Sequence, residues 1–152
     1  MTYIILDLEC TVAETGANPE ERKIIKITAV KLDESLATIS EYGRWVSSTD
    51  TLVQVFPAFL AWIGEGSFRV ATWGDHDLKQ IKMECKHLSL ALPKRFVKNP
   101  IDLRTHFADK KHTRPCGLNQ ALQMMNIPSS ATRHQGMEDA RNMAVMLKRL
   151  GG

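Results

Sequence analysis

The fold is decided near the start of the chain by the stretch Tyr3-Ile4-Ile5-Leu6-Asp7-Leu8-Glu9-Cys10-Thr11. Its first four residues are apolar or aromatic and partly β-branched, which predicts a buried strand over residues 3–6. Side chains two positions apart on a strand point to the same face, so Asp7 and Glu9 should leave the strand end together. Neighbouring carboxylates repel unless a cation neutralises them, and Mg²⁺ is a cation that carboxylate oxygens hold. The pair alone is weak evidence for a metal site, because the same spacing is common on solvated loops.

The composition indicates one globular domain over residues 1–152. A chain of this length can bury a sizeable core without disulfides. We expect no membrane span and no signal peptide, because the sequence lacks a long apolar run and a basic, apolar and small-residue pattern at its start. The three cysteines are far apart and lack zinc-ligand spacing. This favours a reducing compartment and predicts an intracellular, cytoplasmic protein.

The net charge of +3 permits two interpretations. If four acidic residues form a metal site, the rest of the chain is more strongly basic and suits a polyanionic partner around an acidic pocket. The alternative is a mildly basic protein with no such partner. Charge alone favours the second interpretation.

The apolar pattern predicts an α/β domain with a mixed sheet, because three strands come first and strands then alternate with helices. The expected strands are residues 3–6, Ile24–Leu32, 42–46, 69–73 and 101–103. The expected helices are Leu52–Ile63, with Pro57 starting or kinking it, and residues 77–88, 118–125 and 137–150. Residues 13–22 and the basic stretch 90–100 are expected to be loops.

A second signal lies where the last predicted helix begins. His134 precedes Asp139 by five residues, so the imidazole should lie in the entering loop and the carboxylate in the first turns. A mobile imidazole beside a fixed carboxylate suits a general base next to a metal ligand. The alternative is an exposed histidine followed by an acid that the helix dipole favours.

A third signal is the stretch Trp73-Gly74-Asp75-His76-Asp77. A strand that ends in a tight turn would put Asp77 at a helix start, and ligand sites of α/β sheets form at such strand ends. The alternative role for Asp77 is a helix N-cap. Asp75 is expected at the tip of the turn, facing water.

Together these motifs resemble the histidine (DEDDh) subgroup of the DEDD 3′–5′ exonucleases, and within it the DnaQ-like and Eri-like enzymes. The family motifs match, in order, Asp7-Leu8-Glu9, the strand and turn leading to Asp77, and His134 with Asp139. The tyrosine subgroup has a tyrosine four residues before the last acid, where this chain has Gln135. The resemblance implies an RNase H-like mixed five-stranded sheet flanked by helices.

The resemblance also implies a chemistry. It predicts metal-dependent hydrolysis from the 3′ end of single-stranded DNA or RNA, releasing nucleoside monophosphates, with two Mg²⁺ or Mn²⁺ ions. The implied metal ligands are Asp7, Glu9, Asp77 and Asp139, and His134 is the implied general base. Implied contacts with the substrate come from backbone groups near Cys10 and Thr11, from His134, and from Trp73 or Phe107 as a stacking face, although core packing is the favoured role for both aromatic residues.

Three departures from the family pattern concern substrate binding rather than the acids. Lys26 stands where an acidic or small residue is usual, Cys10 replaces a small residue, and residues 47–66 form a short segment. Lys79, Lys82 and Lys86 follow Asp77 at helical spacing and could follow a phosphate backbone, unless they are simply a solvated face. The alternatives in function are an inactive nucleic-acid-binding module on the same fold and a small-nucleotide phosphodiesterase.

Overall fold

The strand that carries Asp7 and Glu9 is the central strand of a five-stranded mixed sheet. The structure, a computed structural model, describes residues 1–11, 22–129 and 136–151. The strands are β1 (Thr2–Cys10), β2 (Ile24–Leu32), β3 (Thr38–Trp45), β4 (Phe68–Thr72) and β5 (Ile101–Asp102), in the order β3-β2-β1-β4-β5. β1, β2 and β3 are antiparallel neighbours, whereas β4 runs parallel to both β1 and β5. The expected mixed five-stranded sheet is confirmed.

Six helices flank this sheet within the described ranges. They are α1 (Leu52–Ile63), α2 (His76–His87), α3 (Lys94–Val97), α4 (Leu103–Lys111), α5 (Leu118–Met124) and α6 (Gly136–Leu150). The four helices expected from periodicity are present, with ends that agree to within one residue. α3 and α4 were not expected, and most of the predicted loop at 13–22 lies outside the described residues.

The two faces of the sheet bury separate cores because side chains alternate along each strand. On one face, Ile4, Leu6 and Ile27 contact α1 and α2, and the aromatic residues of α1 pack with Phe96. On the other face, Ile5 and Val30 pack against α6 through its buried side chains Met143, Ala144 and Leu147. α6 therefore lies on the face to which Asp7 and Glu9 also belong.

Two local predictions were wrong for physical reasons, and one alternative is excluded. β1 does not end at Leu6, because β2 continues to pair with it through Asp7 and Glu9. Of the two roles expected for Pro57, starting α1 is excluded, because α1 begins at Leu52 and continues past the proline. Leu103 belongs to α4 rather than to a strand, because Asp102 caps that helix by accepting hydrogen bonds from two of its amides.

Among the helices that the structure describes, none combines the length and the apolar character that crossing a membrane requires.

Candidate active site

Asp7 and Glu9 lie near the carboxyl end of β1 and face the side of the sheet covered by α6. Cross-strand pairing places Thr28 beside Asp7 and Lys26 beside Glu9. The first turn of α6 approaches this row closely, since the amide of Gly136 donates a hydrogen bond to Oε1 of Glu9 at 3.3 Å. The two carboxylates of the first motif thus leave one face of the sheet together, as the sequence predicted.

Asp77 reaches β1 from the first turn of α2. β4 ends at Thr72, so the chain leaves the sheet before it can pair with the last residues of β1. The carboxylate of Asp77 takes that place, because its Oδ2 accepts a hydrogen bond from the Leu8 amide at 3.2 Å. This contact joins the first and second motifs across 69 residues of sequence.

The turn between β4 and α2 is fixed by Gly74 and Asp102. Gly74 has a φ of 79°, a backbone conformation that other residues adopt only with strain. Its amide donates to Oδ1 of Asp102 at 3.1 Å. Asp75 then lies exposed at the start of α2 and forms an ion pair with Lys79 at 2.7 Å. The structure therefore separates an outward-facing Asp75 from a half-buried Asp77 that faces β1.

Asp139 lies in the first turn of α6 and lines the same cleft as Asp7, Glu9 and Asp77. This cleft is open to solvent and has a volume of about 680 Å³. Three distant segments of the sequence, β1, α2 and α6, thus bring four carboxylates to one cleft. His134 lies outside the described residues.

The acids of this cleft strongly affect the protonation of Asp7. The pKa of Asp7 is raised from 3.8 to about 8, chiefly by burial and then by the charges of Asp77, Asp139 and Glu9, against a lowering effect of Lys26. Burial also raises the pKa of Asp77 to about 6, although the Leu8 amide and His76 favour its charged form. Both carboxylates therefore favour a proton or another cation near them.

The donor set fits a hard divalent cation, although the described side chains do not form a preformed cage. Within residues 1–11, 22–129 and 136–151, no three carboxylate, imidazole or thiol groups converge as a metal cluster. Asp77 and Glu9 each direct one oxygen to a backbone amide. A carboxylate has a second oxygen that can bind a cation, so these hydrogen bonds orient the ligands without excluding their use.

The expected substrate-binding residues have different surroundings. Cys10 and Thr11 line the cleft, but the Thr11 amide donates to the Lys23 carbonyl at 2.8 Å and so ties β1 to the start of β2. Burial raises the pKa of the Cys10 thiol to about 12, which keeps it neutral. Trp73 is not among the described residues that line the cleft. Its indole N–H donates to the Cys116 carbonyl at 3.2 Å, and its ring packs against Phe107.

Several residues near the site were not singled out from the sequence. Arg22, His76 and Gln80 line the cleft, and Glu84 is a buried carboxylate that accepts a hydrogen bond from the Ile24 amide at 3.0 Å. Arg22 was missed because it is brought to the cleft by the hydrogen bond between the Thr11 amide and the Lys23 carbonyl, a contact between segments that the sequence does not pair. Glu84 likewise carries no signal, since a buried acid on α2 is indistinguishable in sequence from a surface acid.

The raised pKa of Asp7 predicts a pH-dependent stability without divalent cations. Because the folded value is about 8 and the ordinary value is 3.8, the folded chain holds a proton that the unfolded chain has lost between these values. The contribution of Asp7 to stability should therefore be fully present below about pH 4 and be lost as the pH rises through 8. Melting temperatures in chelator should show this decline, and Asp7→Asn should flatten it.

Two controls accompany this measurement. Asp75→Asn should not flatten the decline, because Lys79 lowers the pKa of the exposed Asp75. Mg²⁺ added at pH 8 should raise the melting temperature of the wild type but not that of Asp7→Asn. Identical dependences of melting temperature on pH for wild type and Asp7→Asn would contradict the raised pKa of Asp7.

The close approach of α6 predicts that Gly136→Ala is destabilising. A Cβ at this position would lie 2.5 Å from Oγ1 of Thr28 and 3.1 Å from Oδ2 of Asp7. Such overpacking costs about 1–3 kcal/mol, measurable by urea unfolding. Gly66→Ala is the matched control, because its Cβ would meet nothing within 4 Å. In the double variant Gly136→Ala/Thr28→Ala, removal of the Thr28 hydroxyl should recover part of the stability lost in Gly136→Ala. If the losses of the two single variants simply add, the start of α6 moves to accommodate the Cβ instead.

Known proteins resemble this chain both in sequence and in fold. No family model matches the chain. It is 38% identical over 80 residues to the ERI1 exoribonuclease 2 of Danio rerio, a match covering 52% of this chain and 14% of that protein. It is 29% identical over 146 residues to the Homo sapiens protein of the same name, covering 84% of this chain and 21% of that protein. The chain thus spans about a fifth or less of these relatives.

Solved structures share the fold. The nuclease domain of 3′hExo, a DEDDh family member bound to rAMP, superposes with a TM-score of 0.83 at 21% identity, covering 98% of this chain and 90% of that one. Exonuclease I of E. coli in complex with a dT13 oligonucleotide gives a TM-score of 0.72 at 10% identity, covering 98% and 40%. These similarities confirm the resemblance to the DEDDh-type 3′–5′ exonucleases that the sequence motifs indicate.

Proposed function

We propose that the chain is a metal-dependent 3′–5′ exonuclease domain, spanning residues 1–152, that releases nucleoside monophosphates from single-stranded DNA or RNA. The observation that carries this proposal is that Asp7, Glu9, Asp77 and Asp139 all line one open cleft at the carboxyl end of β1. A protein that only bound nucleic acid would gain nothing from four carboxylates there, because they repel phosphates.

Two Mg²⁺ or Mn²⁺ ions would be held by these four carboxylates. Oxygen donors suit both ions, and the neutral thiol of Cys10 does not favour a soft metal. Bound ions would supply neutralisation of the charge that develops on the phosphate and a lower pKa for the attacking water.

The protein's own groups would handle the proton and the substrate. His134 would accept the proton of the attacking water as general base. The terminal nucleotide would lie in the cleft near Cys10 and Thr11, with the side chains of Arg22 and His76 on the same lining. Trp73 packs against Phe107, so we do not assign it a role in stacking on a nucleobase.

Two solved structures that share the fold support the proposed substrate, and the cysteines of the chain support the proposed location. One of these structures, which superposes with a TM-score of 0.82, is of 3′-end specific recognition of a histone mRNA stem-loop by a 3′-exonuclease. Another holds a dT13 oligonucleotide. All three cysteines of the chain are free, as suits an intracellular, cytoplasmic protein.

A degradation assay tests the proposed function directly. Single-stranded DNA and RNA labelled at the 5′ end should shorten stepwise from the 3′ end with Mg²⁺ or Mn²⁺, and chelator should stop the reaction. Binding without degradation would favour an inactive module. Hydrolysis of mononucleotide esters alone would favour a small-nucleotide phosphodiesterase. Activity that persists in chelator, or cleavage of circular substrates, would contradict the proposal.

Asp75 and Asp77 offer a matched pair of substitutions. Asp77 faces β1 and lines the cleft, whereas Asp75 is exposed and paired with Lys79. Asp77→Asn should lower kcat by orders of magnitude, because the site loses one of its negatively charged ligands, while Asp75→Asn should stay close to wild type. Circular dichroism should show both variants folded, and a reversed order of activities would show that the second motif is wrongly assigned.

His134→Ala should reduce kcat by about 10²–10⁴-fold, as loss of a general base does. The gain in melting temperature from added Mg²⁺ should stay as in the wild type, because the four carboxylates remain. A variant with full turnover would exclude the role, and one that loses the Mg²⁺ effect would place His134 among the metal ligands instead.

A further inference from the structure

A tryptophan and a lysine extend the row of site residues across the sheet to its edge. β1, β2 and β3 pair so that Glu9, Lys26 and Trp45 lie side by side. Residues paired in this way point to the same face of a sheet, which here is the face of Asp7 and Glu9. Two strand spacings separate β1 from β3, so the Trp45 backbone is about 10 Å from that of Glu9.

Trp45 is an exposed aromatic side chain with a cation at one side. It is 59% exposed at the end of the edge strand β3. The Nζ atom of Lys26 lies 4.5 Å from the centre of the indole ring. This contact holds the ring beside the lysine, and more than half of its surface remains open to another flat group.

Along this row the side chains change from acidic Glu9 to basic Lys26 to aromatic Trp45, and a polynucleotide would match this order. The carboxylates of Asp7 and Glu9 suit a phosphate only through bound cations, whereas Lys26 can attract a phosphate directly. Trp45, next along the row, offers a ring face of the kind on which any nucleobase stacks. A peptide or a second copy of the chain would not need a cation and an aromatic face beside an acidic cleft.

The geometry points to a stacking platform formed by Trp45 and Lys26 for a nucleotide of the strand upstream of the scissile bond. This inference rests on the proposed function and deepens it, because it assigns a binding site for the part of the substrate that lies outside the cleft. The terminal nucleotide occupies the cleft on the α2 side of β1. The remainder of the strand crosses Lys26, which holds a phosphate, and a base stacks on Trp45.

Substrates of two lengths separate this platform from the chemistry. A short single-stranded oligoadenylate can reach Trp45, whereas the p-nitrophenyl ester of thymidine 5′-phosphate has no upstream nucleotide. Trp45→Ala should raise KM for the oligonucleotide about 10-fold with kcat unchanged, since one stacked base is lost. The same variant should hydrolyse the ester as the wild type does. Trp45→Phe should restore most of the affinity, because the aromatic face returns.

Ile39→Ala is the matched control, because Ile39 is a large apolar side chain that is 54% exposed on the same strand but lies near its far end. This variant should leave both substrates unaffected. An unchanged KM in Trp45→Ala would overturn the inference. Equal losses on both substrates, together with a lower melting temperature, would also overturn it and show that Trp45 only covers the sheet edge.

A binding measurement keeps this inference separable from the proposed function. A labelled oligoadenylate with phosphorothioate 3′ linkages should bind wild type and Ile39→Ala alike and Trp45→Ala about 10-fold more weakly by fluorescence anisotropy. If wild type hydrolyses neither substrate but this difference in binding persists, the proposed function fails and the platform stands. If all three proteins bind equally, the platform is wrong whatever the activity.

Discussion

Repulsion among four carboxylates around one cleft is the constraint on which the arrangement of this structure depends. Two of the acids are oriented by backbone amides, Asp77 by Leu8 and Glu9 by Gly136. Asp77 and Asp139 also lie in the first turns of α2 and α6, where the helix dipole favours negative charge. Asp7 lies among the other three, and its pKa near 8 reflects its burial and their charges. A divalent cation would remove the remaining repulsion.

The sheet topology brings these acids together from distant parts of the chain. β1 is the central strand, with an antiparallel partner on one side and a parallel partner on the other. Parallel pairing places the carboxyl end of β4, and hence the start of α2, beside the end of β1. Two structural carboxylates maintain this geometry, since Asp102 holds the turn at Gly74 and Glu84 holds the start of β2. These two contacts hold the turn before α2 and the start of β2, and both segments border the cleft.

The sequence predicted the features that depend on local pattern. Alternation predicted that Asp7 and Glu9 share a face, and turn chemistry predicted that Asp75 faces water while Asp77 points back toward the strand of Asp7; both are seen. The predictions that failed depend on contacts between distant segments. β1 extends through its two acids because β2 pairs with them.

The unexpected features have the same origin. Gly136 lies against Thr28 because α6 crosses close to the sheet, and nothing in the sequence around Gly136 reveals that contact. α4 was missed because its capping residue Asp102 follows a two-residue strand, too short to give a periodic signal. Tertiary contacts, rather than local propensity, thus decide where these elements begin and end.

The basic residues of the chain are not equally placed to attract a polyanion to the site. Lys79 pairs with Asp75 beside the cleft, whereas Arg95 lies at the other end of the sheet, where it donates to the Gly66 carbonyl and lies over the ring of Phe68. An exposed ion pair contributes at most about 1 kcal/mol, so a phosphate could replace Asp75 as the partner of Lys79 at little cost. Attraction by such exposed cations is screened by salt and does not fix the exact position of a phosphate. The position of a nucleic-acid strand relative to the acids must then be set by short-range contacts in the cleft and on the sheet face beside it.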